Sequence, residues 1–189
     1  VIKMSENNIN QKFNFSDFIK QNKLKIILVF SLSIISIVLF FVFNEIQEKK
    51  NIEISENFNK AKILIEKNNN DEAIKVLDKI VKSKNKFYSA SALNLIIDKK
   101  LLNDKDKILE YFDLVISSGN LDEEIKDLFI IKKILFLGDE VKESELLNNL
   151  KPIITSNSIW KNTAQDYIKK YYLSKNEFSK AKEFENLTK

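Results

Sequence analysis

From Ile26 to Phe43 the chain carries eighteen consecutive uncharged residues, IILVFSLSIISIVLFFVF. Coiled as an α-helix at about 1.5 Å per residue, such a run approaches the roughly 30 Å hydrocarbon core of a bilayer. It has no polar face, which sets it apart from a helix in the core of a small soluble domain. The pattern predicts a transmembrane helix over residues 24–43, with Leu24 extending the apolar stretch. Beyond it the rhythm changes. From about residue 51, apolar residues recur at helical spacing in short blocks parted by polar turns, and no alternating strand pattern longer than a few residues appears. Helices are expected near 51–67, 70–83, 86–101, 104–118, 121–137, 143–155, 158–174 and 176–188, so the region 44–189 reads as all-α.

Taken in pairs, these helices repeat. Ala73, Ile108, Leu146 and Ala181 align at offsets of 35, 38 and 35 residues. The same register carries Leu77 to Phe112 to Leu150, and Ile80 to Val115 to Ile153; twelve residues upstream of its first three members stand Ala61, Ile96 and Ile134. A spacing near 34 residues is that of a tetratricopeptide repeat, whose helix pairs stack into a solenoid. Asn68, Asn103 and Asn176 fall where such a repeat turns from its first helix into its second, a place usually held by Gly. Asn substitutes readily for Gly in a left-handed helix cap. In the third pair the turn is LGDEVKE, with Gly138 and an insertion that accounts for the longer offset. The expected architecture is one transmembrane helix followed by an α-solenoid of about four tetratricopeptide-like helix pairs.

The flanks of the apolar run suggest its orientation. The fifteen residues up to Lys25 hold Lys12, Lys20, Lys23 and Lys25, whereas the fifteen after Phe43 hold only Lys49 and Lys50. An excess of Lys on one side favours a cytoplasmic amino terminus and places the repeat domain in the periplasm. Lys23 and Lys25 are the membrane-flank residues, whose ammonium groups can snorkel to the headgroups. Residues 1–23 then form a cytoplasmic tail in which Phe15–Asn22 suits an amphipathic turn at the membrane surface. A cleaved signal peptide fits less well, because its apolar region usually spans roughly 7 to 15 residues and ends at an A-x-A-like site. Here the longer run is followed by NEIQEKK.

Composition narrows the chemistry. The chain has no Cys, His or Arg, which removes thiol nucleophiles, imidazole bases, Cys/His zinc sites and arginine fingers. With two glycines in 189 residues, neither a P-loop nor a GxGxxG turn can be built, and no cofactor or metal is expected. The abundance of Lys, Asn, Ile and Phe fits an A+T-rich bacterial genome. Residues 1–43 carry five Lys against two acids, and residues 44–189 carry 26 Lys against 25 acids. With acids interleaved throughout, the larger region lacks the basic face of a nucleic-acid binder.

Phe87, Tyr88 and Trp160 are the candidate partner-binding residues. Phe87 and Tyr88 open the second helix pair, where they could line a groove made by successive first helices; Trp160 is a large amphipathic anchor. Each is weighed against core packing, the commoner role of such side chains. Two acidic clusters, Asp122, Glu123, Glu124 and Asp127, and Asp139, Glu140, Glu143 and Glu145, crowd helix starts, where the helix dipole favours carboxylates. As a catalytic pair they would have to converge across a cleft. Pro152 is expected to interrupt or kink the helix begun near Glu143.

Two local phrases carry a family likeness. NKFYSASALNLI, from Asn85 to Ile96, resembles an N-x-Y-x-x-A-x-L-x-L-A block. The stretch from Ile159 to Phe184 resembles a tryptophan-bearing ending matched here by Trp160, Ala164, Asp166, Lys175 and Ala181. Together with the Lys-bearing tail and single anchor, these resemble the ancillary SecYEG translocon subunit family (YfgM-like), over residues 18–189. Lys169 and Asn176 depart from it, standing where that family's last repeat has Gly. The resemblance implies a single-pass bacterial inner-membrane protein whose periplasmic tetratricopeptide-like domain catalyses no reaction. It implies association with the Sec translocon and with a periplasmic chaperone or unfolded clients. The alternatives are a structural subunit of another envelope complex, in division, outer-membrane assembly or respiration, and an envelope-polysaccharide enzyme working with carboxylates alone.

Overall fold

The computed structural model describes residue 20, residues 22–119 and residues 121–185. Among them are eight α-helices, one 3-10 turn and no strand. The helices are α1 (Lys23–Glu66), α2 (Asn70–Lys82), α3 (Tyr88–Asp98), α4 (Lys105–Ile116), α5 (Glu123–Leu137), α6 (Glu143–Thr155), α7 (Lys161–Ser174) and α8 (Phe178–Glu185). The amphipathic turn expected over residues 15–22 lies largely outside the described residues. Contacts divide the chain into two compact units, residues 1–50 and 51–189.

In the first unit, every large apolar side chain from Ile26 to Phe43 is exposed. This is one helix near the amino-terminal end that is long and apolar enough to cross a membrane, and none of its most apolar window is buried in protein. Ser31, Ser33 and Ser36 donate to the carbonyls of Leu28, Val29 and Leu32, each at 2.9 Å, so their hydroxyls are satisfied within the helix. Lys23 and Lys25 are exposed at its first turn. The helix expected to begin at residue 51 has no start of its own. Residues 23–66 contain neither Gly nor Pro, the Glu, Gln and Lys of NEIQEKK favour helix, and Lys49 pairs with Glu45 at 2.8 Å, so α1 continues through the polar stretch.

In the second unit the repeating register is the register of burial. All thirteen positions aligned above, from Ala61 to Ala181, are at most 5% exposed. In α2, Ala73, Leu77, Ile80 and Val81 form one stripe, with Asp71 and Glu72 in the first turn and Lys79 and Lys82 in the last complementing the dipole. In α4 the stripe is Ile108, Tyr111, Phe112 and Val115, and Asp104 caps the helix by accepting the Lys107 amide at 3.0 Å. Each helix from α2 to α7 packs on its successor, and α2 also packs on α4. The buried side chains form two clusters, one including Leu77, Leu93, Phe112 and Phe129, the other Ile134, Leu146, Leu150 and Ile168. α5 feeds both, Phe129 into the first and Ile131 and Ile134 into the second.

Each turn joining α1 to α2, α3 to α4, α5 to α6 and α7 to α8 contains one left-handed residue: Asn68, Lys100, Gly138 and Asn176, with φ of 59°, 49°, 59° and 60°. Asn68 and Asn176 stand where the sequence placed them; Asn103 does not. α3 ends at Asp98, and Lys100 takes the left-handed position because its amide reaches the Ile97 carbonyl at 3.0 Å while Leu101 reaches Ile96 at 3.0 Å. That pair of bonds is a Schellman cap, formed also at Asn68 and Asn176. A left-handed Lys costs on the order of 1 kcal/mol. Pro152 does not interrupt its helix, since α6 runs through it to Thr155. Its missing amide leaves one bond unmade three residues before the helix end.

Candidate functional site

Side-chain bonds in the second unit join residues about one repeat apart. Asn85 donates to Asn51 at 2.7 Å, the Tyr88 hydroxyl donates to Ser55 at 2.8 Å, and Tyr111 donates to Asp78 at 2.7 Å. Lys132 donates to Asn94 at 2.7 Å, and the Trp160 indole donates to the Glu124 carbonyl at 2.8 Å. Their separations are 34, 33, 33, 38 and 36 residues; the Tyr111 bond joins α4 to α2, and the other four link α1, α3, α5 and α7 in turn.

Between the start of α3 and the start of α5 lies a groove of about 640 Å³. Asn51 of α1 closes one end; Tyr88, Ala90 and Asn94 of α3 face Ile125, Leu128 and Phe129 of α5. Phe129 is buried and forms floor, whereas Phe87 is 66% exposed at the mouth. The loop holding Phe87 is fixed from within. The Asn85 side-chain oxygen accepts the amides of Phe87 at 3.0 Å and Tyr88 at 2.9 Å, an Asx-type turn that begins α3. The rings of Phe87 and Tyr88 meet edge to face at 5.0 Å, and Phe58 lies 5.6 Å from Tyr88 on the other side.

The two charged residues that line the groove satisfy each other. Lys86 pairs with Asp122 at 3.0 Å across the mouth, both exposed. Lys132, besides bonding Asn94, lies 5.4 Å from the centre of the Phe129 ring. What remains is an apolar trough with amide edges, suited to an uncharged polypeptide segment that offers aliphatic or aromatic side chains.

No protein-family model, curated protein or solved structure matches this chain.

Of the sequence-derived candidates, Phe87 and Tyr88 come together in the groove, and Trp160 does not join them. Trp160 packs, half buried, against the second cluster, with its indole N–H satisfied. Asn51, Ile125 and Leu128 were not singled out by sequence. Asn51 had a signal, since it precedes Asn85 by 34 residues. Ile125 and Leu128 had none beyond their helical spacing.

The acidic residues are mostly drawn into local pairs. Glu124 accepts from Ser158 and from the Ile159 amide, each at 3.2 Å, and Glu140 pairs with Lys105 at 2.6 Å. Glu143 accepts from Lys180 at 2.8 Å and Tyr172 at 2.9 Å, which hold its carboxyl below the usual range. Burial, then the bond to Glu143, pushes the Tyr172 hydroxyl up to about 12. Asp78 is also lowered: its partial burial opposes ionisation, but the bonds from Lys82 and Tyr111 outweigh it. A general acid needs a carboxyl moved the other way, towards neutrality. Among the described residues no group of three or more acids is placed to hold a metal ion.

Proposed function

We propose that the chain is a membrane-anchored protein-interaction module: an inner-membrane protein with a cytoplasmic amino terminus and a periplasmic repeat domain that binds polypeptide and catalyses no reaction. The observation that carries this reading is the groove between α3 and α5, apolar in its floor, ringed by amides and opened at its mouth by the exposed Phe87. A tetratricopeptide-like solenoid is supported by the bonds at separations of 33 to 38 residues and by the positive-φ residue in each of the four turns within the helix pairs. The exposed apolar run of α1 supports the anchor, and the Lys bias before it supports the orientation. From the resemblance to the ancillary SecYEG translocon subunit family, the partners are the Sec translocon together with periplasmic chaperones or unfolded secreted clients.

The test uses the full chain, crosslinked in its native membrane, solubilised and purified, with translocon and chaperone subunits quantified. Co-isolation of both is expected, with a loss of tenfold or more in chaperone or client for Ile125→Asp, which puts a charge into the apolar wall. Absence of translocon and chaperone alike from the unmodified sample sinks the reading. Replacing the apolar run with an unrelated transmembrane helix separates this proposal from a scaffold role in another envelope complex. A translocon contact made through the helix is lost, whereas a spacer survives the exchange.

A further inference from the structure

The starts of α3, α5 and α7 form one edge together with Asn51 of α1, linked residue to residue. Asn51 bonds Asn85; the neighbouring Lys86 pairs with Asp122; Glu124 accepts from Ser158 and from the Ile159 amide, and its carbonyl takes the Trp160 indole. Two loops of matching build stand on this edge. In the first, Ser83 donates to the Ile80 carbonyl at 2.7 Å and accepts the Asn85 amide at 3.3 Å. In the second, Ser156 donates to Ile153 at 2.9 Å and accepts the Ser158 amide at 3.1 Å. Each loop is thus held rigid from inside, and each presents a large apolar side chain outward: Phe87 is 66% exposed and Ile159 is 72% exposed. Lysines flank both, Lys84 and Lys86 beside Phe87, and Lys161 after Trp160.

We infer that this edge rests on the bilayer, with Phe87 and Ile159 entering the headgroup region and Lys84 and Lys161 meeting lipid phosphates. Three observations select lipid as the occupant. Asn51 belongs to the edge and follows Phe43, the last residue of the apolar run, by eight residues, at most about 29 Å of fully extended chain. Exposed aromatic and aliphatic tips flanked by Lys are the composition that favours the interface between water and hydrocarbon. Two of the acids at the start of α5 are matched by lysines, Asp122 by Lys86 at 3.0 Å and Glu123 by Lys126 at 3.8 Å, and Glu124 accepts from the second loop, so the edge sets no unmatched cluster of acids against anionic lipid. Phe87 has room for both of its roles: its ring packs against Tyr88 at the groove mouth and keeps an open face. The inference rests on the anchor reading above.

Because the chain has no cysteine, single-cysteine labelling needs no background substitutions. The full chain is reconstituted into vesicles of equal parts phosphatidylethanolamine and phosphatidylglycerol, carrying a polarity-sensitive fluorophore at Phe87→Cys, Ile159→Cys, Ile35→Cys or Lys99→Cys. Ile35 reports the apolar run and Lys99 the far end of α3. Quenchers on the lipid headgroup are expected to quench positions 87 and 159 several-fold more than position 99, and mid-chain quenchers to act on position 35. If position 35 is quenched while 87 and 159 match 99, the edge faces water or a protein partner and the inference falls, with the anchor intact. If position 35 is not quenched, the anchor reading itself fails and takes the inference with it.

Discussion

The two core clusters are built with the same devices and differ in what they do with an aromatic at a loop. In the cluster of α1 to α5, the loop before α3 ends in Phe87, whose ring is left open at the groove mouth. In the cluster of α5 to α8, the loop before α7 ends in Trp160, whose ring packs inward and whose N–H is taken by the Glu124 carbonyl. Both clusters also hold a Tyr hydroxyl donating to a carboxylate that a Lys shares: Tyr111 to Asp78 with Lys82, and Tyr172 to Glu143 with Lys180. A shared scaffold thus carries an exposed aromatic at one loop and a packed, hydrogen-bonded one at the other.

The largest expected effect is that of Trp160→Ala. Losing a half-buried indole and its bond should cost about 3 kcal/mol, the lower end for such truncations, measured by urea unfolding followed by circular dichroism in detergent. A cost below about 1 kcal/mol would mean that Trp160 is as free as Phe87 and that the contrast fails. Asn85→Ala comes next, at about 1 kcal/mol, because it removes the cap of α3 and the link to Asn51. Ser158→Ala is the matching probe of the other loop and should cost less, since Glu124 keeps the Ile159 amide.

Asp78→Asn sharpens the comparison through pH. The folded carboxyl lies below its ordinary value of 3.8, so its contribution is present above that pH and is lost as pH falls through the lowered folded value. A gap of roughly 0.5 to 1 kcal/mol between the two proteins is expected at neutral pH, discounted for partial exposure, and should close under acid. A gap unchanged below pH 3.8 would assign it to packing instead of charge. The smallest effect on stability is expected of Phe87→Ala, under about 0.5 kcal/mol. The same variant should lower partner capture by about tenfold, and an unchanged capture would remove Phe87 from the binding surface.

Much of the fold was legible because burial has a period. Every aligned position from Ala61 to Ala181 went to the core, and the uncharged run of Ile26 to Phe43 kept its apolar side chains out of it. The failures have local causes. Asn103 was placed at the turn by its repeat register and residue type, but the end of α3 at Asp98 put Lys100 in the left-handed position. Pro152 does not interrupt its helix, because it sits near enough to the end to be accommodated within it. The start expected at residue 51 vanished because the preceding polar residues are good helix formers. At the groove, Phe87 and Tyr88 were visible as aromatics opening a helix pair, whereas Ile125 and Leu128 become neighbours of Tyr88 only when α3 and α5 are brought together. Whether a lone Trp is anchor or packing depends on a carbonyl 36 residues away, which no local pattern announces.

The longest of the side-chain links described above spans 38 residues. A chain wired over such short loops closes each at little entropic cost, so a nascent polypeptide can lock each pair of helices as soon as the next one has been synthesised. Assembly would then proceed like a zipper in step with the ribosome, without waiting for the carboxyl terminus.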